Sequence, residues 1–343
     1  MIRSNPVVLA FFLFLAASPT FEESFRAGLI ALQRNDLNAA AENLVAAAKL
    51  APANGRVWVA LAQTYWKRKE NEKAEEAARK AATLAPSDAL VFSTLAIYYG
   101  ESGQTLKAAE AEAKYSALTP RDAGAREKAE SLYFEAVQPL LQQQKFADAI
   151  AILGTATERL KNSAQLELAL GVAYYGMRRF DEAAGAFLRT IAISPAIDQP
   201  YLFLGKFLGQ IPGRLPEVTE QFARYERASP ESSTGYLLHA KALNAQSIEP
   251  EAARKLLEKA LSINERDASG HFELGSVLDR MQQYADAARE FERAIELDPA
   301  EPAAHYRLSR VYDRLGKPDA ARAERERHAK LVEAQQTGQM RLP

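Results

Sequence analysis

The sequence contains no cysteine. That excludes thiol nucleophiles, disulfides, thiolate zinc sites and lipid attachment through a cysteine, so stability must rest on packing. An excess of charge is also missing. Forty-three basic residues face 44 acidic ones, for a net charge of −1, which gives the molecule as a whole no pull toward nucleic acid or an acidic membrane. Past residue 17 no stretch is apolar enough to span a bilayer. Phosphate-cradling glycine loops, nucleophile elbows and zinc-protease helices are absent too. The expectation is a protein without catalytic residues, cofactor or metal. Apolar surface, by contrast, is plentiful: 48% of the 343 residues are hydrophobic, enough for a large buried core.

The amino terminus is set apart from the rest. Arg3 gives a positive start, Val7 to Ala17 is apolar, and small or turn residues follow at Ser18, Pro19 and Thr20. This pattern predicts a signal peptide over 1–20, since the apolar run is about half of the roughly 20 residues that a spanning helix needs. The corresponding expectation is export to a periplasmic or secreted location, the alternative being an inner-membrane anchor left uncleaved.

From residue 21 onward the chain repeats itself at about 34 residues. The segments LNAAAENLVAAAKLAPAN, NEKAEEAARKAATLAPSD, FDEAAGAFLRTIAISPAI and YADAAREFERAIELDPAE share one grammar. Nine units follow, at 21–54, 55–88, 89–122, 130–163, 164–197, 198–232, 233–267, 268–301 and 302–335. Each reads as two helices. In the first, a large residue such as Trp58, Phe92, Tyr133 or Tyr201 is followed by an apolar and then a small one, as in Leu61–Ala62, Leu170–Gly171 and Leu274–Gly275. That spacing places them on one stripe of a helix, and the small residue allows close approach of a partner helix. The second helix carries alanine at its crossing point, at Ala40, Ala74, Ala108, Ala149, Ala183, Ala253, Ala287 and Ala321, with Val218 in the sixth unit. Prolines at 52, 86, 120, 195, 230 and 299 end the second helices, because proline offers no amide hydrogen and clashes with the preceding turn.

On these residues the chain resembles the tetratricopeptide repeat family over about nine tenths of its length. The resemblance implies an all-α, right-handed α-solenoid of antiparallel helix pairs, with first helices lining a concave groove and second helices forming an outer wall. It further implies a groove that holds a peptide segment of a partner protein. Off the packing stripe, the inward positions by analogy are Phe25, Gln63, Trp66, Phe134, Gln138 and Tyr175 in the first half, aromatics interleaved with amides that suit a peptide main chain. Toward the carboxyl terminus they become basic, at Lys206, Lys241, Arg280, Arg307, Arg310 and Arg314, with Asp279 and Asp313 as partial offsets. Such a stripe suits an acidic segment or a terminal carboxylate; an ordinary solvated basic face is the other reading. The lysine clamp of the relatives that grip chaperone termini does not transfer, because Phe25, Val59, Ser93, Leu168 and Leu202 hold the corresponding position.

The expected function is therefore a monomeric interaction scaffold for a protein or peptide partner. The alternatives are a self-assembling structural subunit of the envelope and a carbohydrate groove built on Trp66 and Tyr175. Three irregularities stand out. Residues 123–129 are extra and helical in character, predicting a first helix about two turns longer, with Pro139 kinking it. Together these features either divide the array into blocks of three and six units or bend it locally. The stretch from Gly209 to Glu217 predicts a lengthened loop, and residues 336–343 a disordered tail. Finally, His239, His271 and His305 recur about one unit apart. A row of imidazoles is a conceivable metal site, but His271 and His305 take the packing position of Trp58 and Tyr201, and no carboxylate stands beside them at ligand spacing in the sequence.

Overall fold

The computed structural model describes residues 19–337, so the expected signal peptide lies almost entirely outside the described residues. Among them there are 18 α-helices and no strand. First helices are α1 (Phe21–Gln33), α3 (Gly55–Lys67), α5 (Ala89–Glu101), α7 (Ala123–Gln142), α9 (Ala164–Gly176), α11 (Gln199–Leu204), α13 (Ser233–Gln246), α15 (Ala268–Arg280) and α17 (Pro302–Arg314). Second helices are α2 (Leu37–Leu50), α4 (Asn71–Leu84), α6 (Thr105–Leu118), α8 (Phe146–Arg159), α10 (Phe180–Ile193), α12 (Leu215–Ala228), α14 (Pro250–Ile263), α16 (Tyr284–Leu297) and α18 (Pro318–Gln336). No described helix is long and apolar enough to cross a membrane.

The crossing positions behave as their residue types require. All eight alanines and Val218 are fully buried. Opposite them, size is matched between positions sixteen residues apart. A Cβ added at Gly171 would come within 2.5 Å of the Phe187 ring, one at Gly275 within 2.9 Å of Phe291, and one at Gly28 within 2.6 Å of Leu44. Where the first helix has Ala62 instead, the second has the small Ala78, and both are fully buried. The volume shared by a helix pair is thus filled from one side or the other.

Polar groups of the first helices are used just as regularly. In several first helices the large polar residue near the start reaches back six residues to a carbonyl in the connection before it: Trp58 Nε1 donates to the Pro52 carbonyl at 2.8 Å, and the Tyr201 and Tyr236 hydroxyls donate to Pro195 and Pro230 at 3.1 Å. Asn54, Asp88, Ser163, Asp267 and Glu301 cap first helices through their side chains, while Thr20 and Glu23 form a reciprocal capping box on α1.

Most turns from first to second helix pass through one residue with positive φ, at Asn35, Lys69, Gly103, Gln144, Arg178, Gln282 and Gly316. There the amide a few residues past the helix returns to the carbonyl of its last turn, as in Asp36 to Ala31 and Glu70 to Tyr65.

The chain separates into two compact units, the first ending at Ala136 and the second beginning at Val137. The boundary falls inside α7, two residues before Pro139. That helix has 20 residues against 13 in α3, α5 and α9, so the extra segment adds the expected two turns. The first unit is built on a core running from Leu44 to Ala111. The second holds one core between Ala183 and Ala242 and another between Ala240 and Val311.

Two expectations need correction. The stretch 209–217 is not a plain lengthened loop: α11 stops after six residues, two short 3-10 turns follow at Leu208–Gln210 and Pro212–Arg214, and α12 starts at Leu215. Phe207, Leu208, Ile211 and Leu215 are buried, so this segment is core whose helical path is blocked by Pro212, which disfavours α conformation at Ile211. At the other end, α18 continues through Gln336, one residue into the segment expected to be disordered; residues 338–343 lie outside the described residues.

Candidate partner-binding face

In the second unit, α13, α15 and α17 stand side by side, and their shared face is not filled by packing. A cavity of about 550 Å³ is lined by Asn244, Phe272, Glu273, Ser276, Asp279, Arg280, Gln282, Tyr284, Arg307, Arg310 and Arg314. It adjoins a second cavity of about 280 Å³, which shares Phe272 and Glu273 with it and is otherwise lined by Lys241, Ala268, Ser269, Ala294, Asp298, Glu301, Ala303 and Ala304. The first is rich in guanidinium groups, while the second offers small apolar side chains and the Phe272 ring within a charged rim.

The charges here are unequally committed. Arg314 pairs with Asp279 and lies over the Tyr284 ring; the hydrogen bond to Asp279 holds the Arg314 pKa above its ordinary value. Arg280 donates to the Asn244 main-chain carbonyl at 2.8 Å. Lys241 faces Glu273 at 3.8 Å. Asn244 gives its side-chain amide to Glu273 at 3.1 Å, leaving its buried Oδ1 without a donor among the described residues. Asp313 pairs with Arg325 of α18 at 2.7 Å. Arg307 and Arg310, both exposed, have no hydrogen bond, ion pair or ring contact among the described residues.

The contrast with the second helices is informative. Lys80 with Glu76, Arg179 with Glu182, Arg224 with Glu220, Arg289 with Asp286 and Arg293 with Glu296 are paired one helical turn apart. That is the pattern of a solvated face. Helix α17 has only Asp313 to offer its arginines, and Asp313 is taken.

The remaining predicted positions are dispersed. Phe25 stacks on Phe21 with ring centres 5.6 Å apart. Trp66 meets Tyr98 edge-on at 6.2 Å and borders a cavity of about 600 Å³ in the first unit with Glu72, Glu75, Arg79, Gln104 and Lys107. Gln63 and Phe134 are partly buried and Gln138 is exposed; none of the three lines a cavity described here. Tyr175 sits among Phe180, Phe203 and Phe207, with ring centres 5.5–6.0 Å away. Lys206 does not stand on a first helix, because α11 has already ended at Leu204; its ammonium lies 5.2 Å from the centre of the Phe203 ring.

The histidines also depart from the sequence-based reading, because each has a carboxylate beside it. His239 Nδ1 is 2.6 Å from Glu226, His271 Nδ1 is 2.7 Å from Glu290, and His305 Nδ1 is 2.6 Å from Glu324. These partners come from second helices, in two cases nineteen residues further along the chain, a spacing outside any local ligand pattern. The other nitrogen of His271 and of His305 faces the carbonyl six residues back, Glu265 and Pro299, as Trp58 and Tyr201 do. Among the described residues no group of three or more histidine, aspartate or glutamate side chains is placed to hold a metal ion.

A protein made of stacked helix pairs, with polar groups left open on its first-helix face, is a helical-repeat scaffold for binding other proteins. The sequence profile of the tetratricopeptide repeat matches residues 25–89, 134–196 and 272–333, together more than half of the chain. The chain belongs to the tetratricopeptide repeat family, whose members generally serve as non-enzymatic scaffolds for protein partners. Similar solved structures include MamA (23% identity, 49% of this chain and 97% of that one, TM-score 0.39). The thermophilic repeat protein TTC0263 of Thermus thermophilus is similar at 23% identity over 50% of this chain and 99% of that one, with a TM-score of 0.42. PilF of Pseudomonas aeruginosa is similar at 19% identity over 58% and 90%, with a TM-score of 0.45.

Proposed function

We propose that the chain is a monomeric adaptor of the bacterial cell envelope that holds a peptide segment of a partner protein against the first helices of its second unit. The observation that carries this reading is the pair of adjoining cavities along α13, α15 and α17, in which Arg307 and Arg310 have no partner among the described residues. An open face lined by both polar and apolar side chains suits an extended segment, which presents main-chain hydrogen-bonding groups and alternate side chains along its course. The envelope location rests on the amino-terminal pattern of Arg3 and the apolar run from Val7 to Ala17.

Site-directed photocrosslinking in the native host tests the reading. A photoreactive residue at Ser276, in the larger cavity, is expected to trap one defined protein, whereas the same residue at Glu258, on the exposed face of α14, traps none. Equal trapping from both positions would refute it. Assembly into a structural polymer is the competing reading, and light scattering at increasing concentration separates the two: constant mass supports the adaptor, and growing oligomers support the polymer.

A further inference from the structure

We infer that the segment bound on this face carries an apolar side chain next to a pair of acidic ones, the apolar group seated against Phe272 and the two carboxylates on Arg307 and Arg310. The inference rests on the proposal that the first helices of the second unit bind a peptide, and it specifies that peptide's chemistry.

The charge argument starts from the local acids. Asp279, Glu273 and Asp313 are each already paired, with Arg314, with Lys241 and Asn244, and with Arg325. The cavity's unbalanced positive charge therefore sits on Arg280, whose guanidinium is held by the Asn244 carbonyl, and on Arg307 and Arg310, which have no partner among the described residues. The two are three residues apart on α17 and so lie on the same face. A guanidinium presents a planar fork of donors that matches a carboxylate with two parallel hydrogen bonds. Two such forks one turn apart call for two anionic groups close together.

The neighbouring cavity sets the other half of the requirement. Ala268, Ala294, Ala303, Ala304 and Phe272 make an apolar floor. Its acids are largely engaged: Asp298 accepts from the Ala300 amide and Glu301 from the Ala303 amide, while Glu273 faces Lys241. At about 280 Å³ the space takes one aliphatic side chain. Because Phe272 and Glu273 belong to both cavities, the apolar and acidic groups of a ligand must be near neighbours along its chain.

Capture from a random decapeptide library on the immobilised full chain tests this, with an Arg307→Glu/Arg310→Glu double variant as comparator. Both arginines are exposed and unpartnered among the described residues, so charge reversal leaves the packing intact, which circular dichroism checks. The expected result is enrichment of peptides with two acidic residues beside an aliphatic one. A synthetic peptide made to that pattern should lose at least tenfold in affinity in the double variant, and its binding should weaken as salt is raised. Peptides captured without acidic enrichment, or captured equally by the double variant, overturn the inferred chemistry while leaving peptide binding in place. Failure to capture any peptide overturns both. An oligonucleotide or polyphosphate that displaces the acidic peptide at equal charge concentration also overturns the inference, since recognition is then of charge alone.

Discussion

The imidazole of His305 and the carboxylate of Glu324 meet at 2.6 Å inside the last helix pair, with their side chains only 5% and 8% exposed. Glu324 also accepts from Arg327, and the second imidazole nitrogen faces the Pro299 carbonyl at 3.3 Å. One ring nitrogen thus meets a carboxylate and the other a main-chain carbonyl. The pair ties α17 to α18 at the end of the array, where no further described unit packs over α18.

Removing one member should loosen that end selectively. Glu324→Ala leaves the buried His305 Nδ1 without its hydrogen-bond partner and should cost about 2 kcal/mol. Glu324→Gln, which keeps an acceptor in place, should cost about 1 kcal/mol. In a stacked repeat the loss is local, so hydrogen exchange should accelerate in α17 and α18 and remain unchanged in α1–α6. Uniform acceleration along the chain would contradict this assignment.

Gly171 and Phe187 provide a packing test. A methyl group at Gly171 would meet the ring at 2.5 Å, and overpacking of this kind costs roughly 1–3 kcal/mol. Gly171→Ala should destabilise the second unit by about 2 kcal/mol in urea unfolding, and adding Phe187→Leu should recover part of the loss. If the double variant is less stable than the sum of the two single changes predicts, the size-matching account fails.

Acid should weaken the first unit through Asp88. Its carboxyl is held below the usual carboxylate range mainly by the hydrogen bond from Arg56, at 2.6 Å, and also by the amides of Leu90 and Val91 that it caps. Because the folded value is the lower one, this stabilisation is present above the unfolded pKa of about 4 and is lost as pH falls through the folded value. The pair is partly exposed, so its contribution is at most about 1 kcal/mol. Asp88→Asn should therefore be less stable than wild type at neutral pH, and the gap should narrow in acid, below the ordinary carboxylate range. A gap that is the same at neutral and acid pH would rule out the ionic origin.

Lys69 has φ of 63° in the turn between α3 and α4, a conformation that costs a residue with a Cβ roughly 1–2 kcal/mol. Lys69→Gly should raise stability by up to about 1 kcal/mol, the gain being partly offset by the greater freedom of glycine in the unfolded chain. The melting temperature checks this, and a decrease would contradict it.

These residues also show which features were legible in the sequence. The alanines at the helix crossings, the small residues opposite Phe187 and Phe291 and the terminating prolines recur in register, because each answers a packing demand that is the same in every unit. The end of α11 at Leu204 was hidden, since Leu204, Gly205 and Leu208 still fit the helical stripe while Pro212 disturbs the path downstream. The His305–Glu324 pair was hidden for a different reason: its members are nineteen residues apart, and only the antiparallel return of α18 brings them together. On the candidate face, the sequence indicated a basic stripe but not its division of labour. Arg314 and Arg310 look equivalent in the chain, yet one is bound to Asp279 and the other has no partner among the described residues. The turns at Lys69, Gln144, Arg178 and Gln282 carry no glycine to mark their positive φ.

The most direct test of the central claim is the photocrosslinking contrast between Ser276 and Glu258 in living cells. One defined partner trapped from Ser276, absent from Glu258, and lost when Arg307 and Arg310 are both changed to glutamate is the predicted result. The same proteins trapped from both positions, or trapping from Ser276 that is indifferent to the two arginines, would contradict it.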